Sequence, residues 1–350
     1  MKINNKYISE DDLITSYNVA RKCNKVFVEA VTHDQFENIK NEHSKIISKN
    51  DILIVYKNTR LEICENDVIF CHSNFIHELF FLLKNIDNLK NIKLVTSQSD
   101  VKITKQLFKT KPKCISEWYG INIDYEHEKL FPIPLGIANN YSPKNLTYSN
   151  FLAKEKVSPK LKKIYCNYNP NTNNYERKNI KDKFISNDLL FFDEPNLSFE
   201  QYSSRLREYE FVLCPWGNGF DTHRLWEALY AGSIPVTLSH LSLKSFEEFP
   251  IILLDSYSEF NIKEKKFDDF KYFFNEKLNI NWWFKQINNF QLDSDDNYVE
   301  FIENKELHDY NVGLFFKQYH QNNKVKYRNT IKRKIHKKTF GNKLNKTFGV

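Results

Sequence analysis

The residues best placed to do chemistry lie between Phe211 and Val236. An apolar run ends at Cys214, breaks at Pro215 and turns through Gly217-Asn218-Gly219. Helical spacing then resumes and closes at Gly232, before Ile234-Pro235-Val236. That order reads as strand, turn, helix, strand. Such a unit aims backbone N–H groups and the positive end of a helix dipole from the top of a parallel sheet, where phosphate-bearing ligands bind. Leu225, Ala228 and Leu229 share the face that packs on a sheet, while His223, Arg224 and Glu227 share the neighbouring face of a solvent-facing helix start. A guanidinium at Arg224 can grip phosphate oxygens as a fork, and a carboxylate one turn deeper, at Glu227, can accept from two ribose hydroxyls. Taken alone, the same residues also fit a surface ion pair between Arg224 and Glu227, with an N-cap at Asp221.

The stretch Cys214-Pro-Trp-Gly-Asn-Gly-Phe-Asp-Thr-His-Arg-Leu-Trp-Glu-Ala-Leu229, followed by Gly232-Ser-Ile-Pro-Val236, resembles the nucleotide-sugar motif of the exostosin-like glycosyltransferases. Tyr165-Cys-Asn-Tyr-Asn-Pro-Asn-Thr-Asn-Asn-Tyr-Glu-Arg177-Lys178 is similar to the Asn- and Thr-rich segment that opens their donor domain. Lys129-Leu-Phe-Pro-Ile-Pro-Leu-Gly-Ile-Ala138 looks like the segment before their interdomain crossing. The resemblance spans about residues 50 to 290. It implies an α/β fold of two Rossmann-like domains facing a cleft (GT-B) and an inverting transfer from a nucleotide-diphosphate sugar. Asn167, Asn169, Thr172, Arg177, Trp216, Gly217, Asn218, Gly219, Asp221, Thr222, His223, Arg224 and Glu227 would then hold the donor. Trp216 stands where Arg, His or a small residue is usual, so no base or sugar preference carries over. With no Asp-x-Asp triplet in a donor-site context, the leaving group is expected to rest on Arg177, Arg224 and backbone amides. No metal and no cofactor beyond the donor substrate are implied.

The elements needed to position these residues are legible along the chain. A length of 350 residues with 41% hydrophobic and 15% aromatic content fits two α/β cores. In the first half, residues 52–56, 68–71 and 92–96 read as strands. Helices are expected over 77–83, with Ser73 near the cap, and from about Asp100; the alternation implies a parallel sheet. His72-Ser73-Asn74, Ser97 to Asp100, and Glu117-Trp118-Tyr119 then gather at strand ends, the edge where an acceptor would sit. The base that deprotonates the acceptor is sought among Asp100, His72 and Glu117. Asp100 is preferred because an acid beside a helix start stays ionised, although Ser99 or Asp100 is also placed to cap the helix running through Ile103 and Leu107. Prolines 132, 134 and 143 and a Lys-rich stretch up to Lys163 mark a boundary. The expected domains are 1–150 on the acceptor side, 151–305 on the donor side, and a tail over 306–350. In the donor domain a strand runs into Asn167, a helix starts near Tyr175, and strands cover 189–192 and 251–254. Ser198 with Gln201 has capping-box spacing, and the aromatic run from Phe267 to Phe284 is expected to pack between domains.

Six cysteines without Cys-x-x-Cys spacing read as reduced core thiols. The absence of an apolar leader, and of any run near the ~20 apolar residues of a membrane span, leads to an expected cytoplasmic location. A nucleotide-sugar epimerase is disfavoured because no Gly-x-Gly-x-x-Gly follows an early strand. The expected partners are a nucleotide sugar and a glycan, polysaccharide or glycolipid acceptor; the rival reading is a non-catalytic nucleotide- or glycan-binding protein derived from a transferase fold. After Asp309 come eleven Lys or Arg and no acid, so against the chain's net +7 the remainder stands near −4 (7 − 11). Tyr327, Ile331 and Ile335 repeat every fourth position among these cations, a thin apolar line suited to an anionic membrane surface; a solvated, structureless tail fits equally well. No nucleic-acid-reading fold accompanies the basic tail, so no nucleic acid is expected. If the tail is a peripheral membrane tether, deleting residues 324–350 releases the protein from anionic vesicles in a sedimentation assay; equal binding by the truncated chain would refute the tether.

Overall fold

The computed structural model describes residues 2–302 apart from 4–5, 85, 87, 143–144, 152–159, 179, 185–186, 195, 247–248, 261–275 and 289–297. The basic tail and the aromatic residues Phe267 to Phe274 lie outside the described residues. Met1–Ile302 forms one compact unit holding two parallel-rich sheets.

The first sheet uses β1 (Lys25–Val31), β2 (Ser44–Lys49), β3 (Ile54–Asn58), β4 (Val68–His72), β5 (Ile92–Ser97), β6 (Ile115–Gly120) and β7 (Leu130–Pro132), in the order β7-β6-β5-β4-β1-β3-β2. Its five strands from β7 to β1 run parallel, and the β2–β3 edge is antiparallel. This edge departs from the all-parallel expectation. A four-residue link between β2 and β3 allows only a hairpin, whereas a parallel step needs a crossover of a dozen residues or more. Strand β1 is not evident from sequence because Glu29 interrupts its apolar run. That carboxylate is buried against Arg21 and the Tyr56 hydroxyl, which offset part of the cost of burial while burial still pushes its pKa up to about 7. Helices α1 (Ser16–Lys22), α2 (His33–Ile39) and α3 (Ile76–Lys84) accompany the sheet. The helix after β5 is α4 (Lys105–Lys109), capped by Thr104, whose side chain accepts from Leu107 N. The cap expected at Ser99 or Asp100 is therefore absent, because the two-residue strand Ile103–Thr104 intervenes and pairs with Ile123–Asp124.

The second sheet is wholly parallel, in the order β9-β8-β10-β11-β12: β8 (Leu161–Cys166), β9 (Leu190–Phe192), β10 (Tyr209–Leu213), β11 (Ile234–Leu238) and β12 (Ile252–Leu254). Helix α5 (Phe199–Glu208) has the capping box read from Ser198 and Gln201. Helix α6 (His223–Tyr230) follows the Gly-Asn-Gly turn, and α7 (Ile280–Asn288) returns to the first sheet, where its Ile287 carbonyl accepts from Lys93. One apolar core joins both sheets, with Phe70 and Val95 from the first, Tyr165 and Val212 from the second, Trp226 of α6, and Trp283 and Phe284 of α7. Among the described residues no helix is long and apolar enough to cross a membrane.

The segment that leaves the first sheet presses on the start of the chain at Gly136. Its φ is +73°, and a Cβ there would lie 2.0 Å from the Ile14 carbonyl oxygen, which accepts from Ile137 N. Gly136→Ala should cost at least about 1–3 kcal/mol, the usual strain of a non-glycine residue in this region, and lower the urea midpoint accordingly.

Candidate active site

The turn and helix start read from sequence sit at the carboxyl ends of the second sheet, where β10 feeds the turn and α6. Leu225, Ala228 and Leu229 enter the core as expected. Glu227 does too, which corrects the solvent-facing reading. It is 1% exposed, and its oxygens accept from Leu146 N (3.0 Å) and the Tyr202 hydroxyl (2.9 Å). Each carboxylate oxygen thereby accepts one hydrogen bond from the protein and keeps further acceptor capacity.

Asp221 is likewise no cap. It is 4% exposed and accepts from Leu135 N (2.7 Å) and Trp226 Nε1 (2.8 Å); burial pushes its carboxyl up to about 7, against the pull of those bonds. His223 Nδ1 lies 2.8 Å from the Gly136 carbonyl, which can only accept, so this nitrogen carries the proton. Thr222 holds the N-cap position without making a cap bond, and its buried Oγ1 has no partner.

Arg177, 6% exposed, spends three donors on the loop: Nε on Trp216 O (2.8 Å), Nη1 on Asn169 O (3.1 Å) and Nη2 on Pro215 O (3.0 Å). It shapes the turn through carbonyls. Its pKa falls to about 10, first through burial and then through the charge of Arg224 nearby. Arg224 is half-buried, with an Nε that finds no partner and a guanidinium 5.9 Å from the Tyr202 ring. The two guanidiniums repel one another beside an uncapped helix start, while the buried Glu227 acts on Arg224, and Glu176 on Arg177, in the opposite sense.

The remaining donor-side residues frame this point. Asn169 and Thr172 are exposed on the turn that ends beneath Gly217, and Asn173, which the sequence reading passed over, donates to Gly217 O (2.9 Å). Asn167 is buried and donates to Glu194 O, a structural bond. Trp216 is half-buried, with Nε1 on Leu238 O (3.3 Å) and its ring edge-on to Phe220 and His240. Gly219 is required by a close approach, since a Cβ there would meet Asn122 Oδ1 at 2.4 Å. Asn122, at φ 56°, also accepts from Phe220 N (3.0 Å).

The three base candidates separate. Asp100 is exposed and accepts from Asn218 Nδ2 (3.1 Å), so it faces the donor turn. His72 is buried and accepts from Asn74 N; burial lowers its pKa to about 4, far from the neutral range that would suit a base. Glu117 is not at a strand end, because β6 continues to Gly120. It sits opposite Lys93 in the register and accepts from the Tyr119 hydroxyl, while Trp118 is core. The structure therefore brings Asp100 to the Gly-Asn-Gly turn, while the hydrogen-bond partners of Glu117 and His72 lie elsewhere. Sequence alone gave little sign of Asn122, Asn173, Tyr202 or Leu146, whose contributions arise from contacts distant in the chain.

Residues 173–307 match the family model described as the RXYLT1 C-terminal domain. The match takes in α6 and the Gly-Asn-Gly turn and supports an exostosin-like, glycosyltransferase-related family over that part of the chain. No curated protein matches the chain.

Asp221 gives a pH signature. Its folded pKa is raised from 3.8 to about 7, so its contribution to stability is fully present below about pH 4 and is lost as pH rises through 7. In Asp221→Asn the slope of unfolding free energy against pH between 4 and 7 should flatten relative to the unsubstituted protein, as read by urea titration at several pH values.

Proposed function

We propose that the protein is an inverting glycosyltransferase that moves a sugar from a nucleotide-diphosphate sugar to a hydroxyl of a glycan or polysaccharide acceptor, in a GT-B arrangement with the donor on the second sheet. The observation that carries this reading is the juxtaposition of Arg177 and the unpartnered Nε of Arg224 beside the uncapped start of α6. In such a transfer the acceptor oxygen attacks the anomeric carbon and the diphosphate leaves with the bonding electrons, so negative charge grows on the leaving group. Fixed donors in a water-poor setting stabilise that charge without a reorganisation cost. Arg224 would touch the phosphates, Arg177 would hold the loop carbonyls away while adding its own charge, and the helix dipole would add a third favourable term. In this reading no divalent metal is needed, the nucleotide sugar is substrate rather than cofactor, and the basic tail would hold the enzyme against an anionic membrane face.

Two measurements test it. A nucleotide-sugar panel should raise the melting temperature, a ligand at a hundred times its Kd adding about 2.7 kcal/mol; binding without turnover would favour the non-catalytic alternative. Arg224→Ala should weaken UDP or GDP binding by about 1.5–3 kcal/mol, roughly ten- to a hundredfold or somewhat more, in a calorimetric titration; unchanged affinity in that variant would remove Arg224 from the donor site.

A further inference from the structure

Residues 122–124, part of which pairs with Ile103–Thr104 in a small two-stranded sheet of its own, are tied to the second half at three points. Asn122 accepts from Phe220 N, Ser242 Oγ donates to the Ile123 carbonyl (2.7 Å), and Asp124 Oδ1 lies 3.6 Å from His240 Nε2. His240 comes just after β11, at the carboxyl edge of the second sheet. Its Nδ1 accepts from Ser242 N (3.1 Å), so in the neutral ring the proton is on Nε2, the nitrogen that faces Asp124. The ring is held on both sides: it stacks on Phe220 with centroids 3.4 Å apart and meets the edge of Trp216 at 5.3 Å. Lys102 lies over the other rim of this cluster, 4.2 Å from the Phe220 centroid. The Asp124 side chain remains 40% exposed. Backbone pairing of Ile123–Asp124 with Ile103–Thr104 fixes the strand that carries it.

Asp100 differs in kind. Its Oδ2 accepts the Asn218 amide, so part of its capacity is spent on holding the donor turn.

We propose that Asp124, aimed by His240, is the group that takes the proton from the acceptor hydroxyl, and that Asp100 latches the donor turn. This rests on the glycosyltransferase reading above. The acceptor O–H proton passes to the Asp124 carboxylate as the acceptor oxygen bonds to the anomeric carbon. The bond from that carbon to the diphosphate oxygen breaks, its electron pair leaves with the nucleotide diphosphate, and the proton on Asp124 is later lost to water. His240 is a positioning residue: its Nε2–H aligns the carboxylate and, through Phe220, ties that alignment to the donor turn. A separation of 3.6 Å without substrate is in keeping with catalytic pairs that tighten only once the reactants are bound.

The test uses the full chain with UDP-glucose, UDP-N-acetylglucosamine, UDP-glucuronate and GDP-mannose as donors and p-nitrophenyl glycosides as acceptors. With the donor that the unsubstituted protein turns over, Asp124→Asn should lower kcat by about a hundredfold or more, the usual size of a lost general base, with donor KM and nucleotide-diphosphate affinity unchanged. Asp124→Glu should recover part of that loss. His240→Phe, which keeps the stack on Phe220 and removes the N–H, should lower kcat while leaving donor KM unchanged; a merely structural histidine would move both or neither. Asp100→Asn should act mainly on donor KM. Wild-type kcat in Asp124→Asn together with a hundredfold loss in Asp100→Asn would overturn the assignment and leave the transferase reading standing. Failure of every nucleotide sugar to bind the unsubstituted protein would overturn both.

Discussion

The architecture depends on a small set of carboxylates buried at α6 and answered by backbone N–H groups from the segment that links the two sheets. A carboxylate taken out of water without partners costs several kcal/mol. The bonds from Leu135 N to Asp221 and from Leu146 N to Glu227 offset part of that cost; at Asp221 burial still outweighs them and holds the carboxyl up at about 7. His223 adds a bond to the Gly136 carbonyl, and the Tyr230 hydroxyl accepts from Ile14 N while donating to Leu278 O. The helix that carries the candidate anion site is thus also the post to which the crossing segment and the start of the chain are tied. Displacing either would strand charged or polar groups, a far larger penalty than the loss of one ordinary hydrogen bond.

The same economy explains the division of labour between the two arginines. Arg177 is nearly enclosed and saturates the carbonyls of Asn169, Pro215 and Trp216, so the glycine turn has little freedom to collapse. Arg224 keeps an unpaired Nε. The thiols of Cys166 and Cys214, at the ends of adjacent strands, are pushed upward in pKa by burial, so they stay neutral and add no negative charge to the floor of the site.

Much of the second half was legible because its signals are local. The capping box at Ser198, the break at Pro215 and the helical spacing after Asp221 are each set by neighbours within a few residues, and the elements fall where those signals lie. The misreadings share a different cause. Asp221 and Glu227 look like surface residues until Trp226, Tyr202 and the crossing segment close over them, and Glu29 looks like a break in an apolar run until Arg21 and Tyr56 meet it. Glu117 was placed at a strand end because the pairing of β6 with Lys93 and its neighbours is a tertiary fact that periodicity does not contain. Asp124 and His240 carry no motif at all; only the packing of the Ile123–Asp124 strand against the loop after β11 puts them together.

Gly219 has a consequence of another sort. The Gly-Asn-Gly turn is gripped from its own side by Arg177 and from the first half of the chain by Asn122 and Asp100, with no room between Gly219 and Asn122 for even a methyl group. If a ligand pulled on this turn, it would do work on the contacts of Asn122 and Asp100, and anything that shifted those residues would change the ligand's affinity by the same free energy. Occupancy of one half and alignment of the other are then two readings of a single equilibrium.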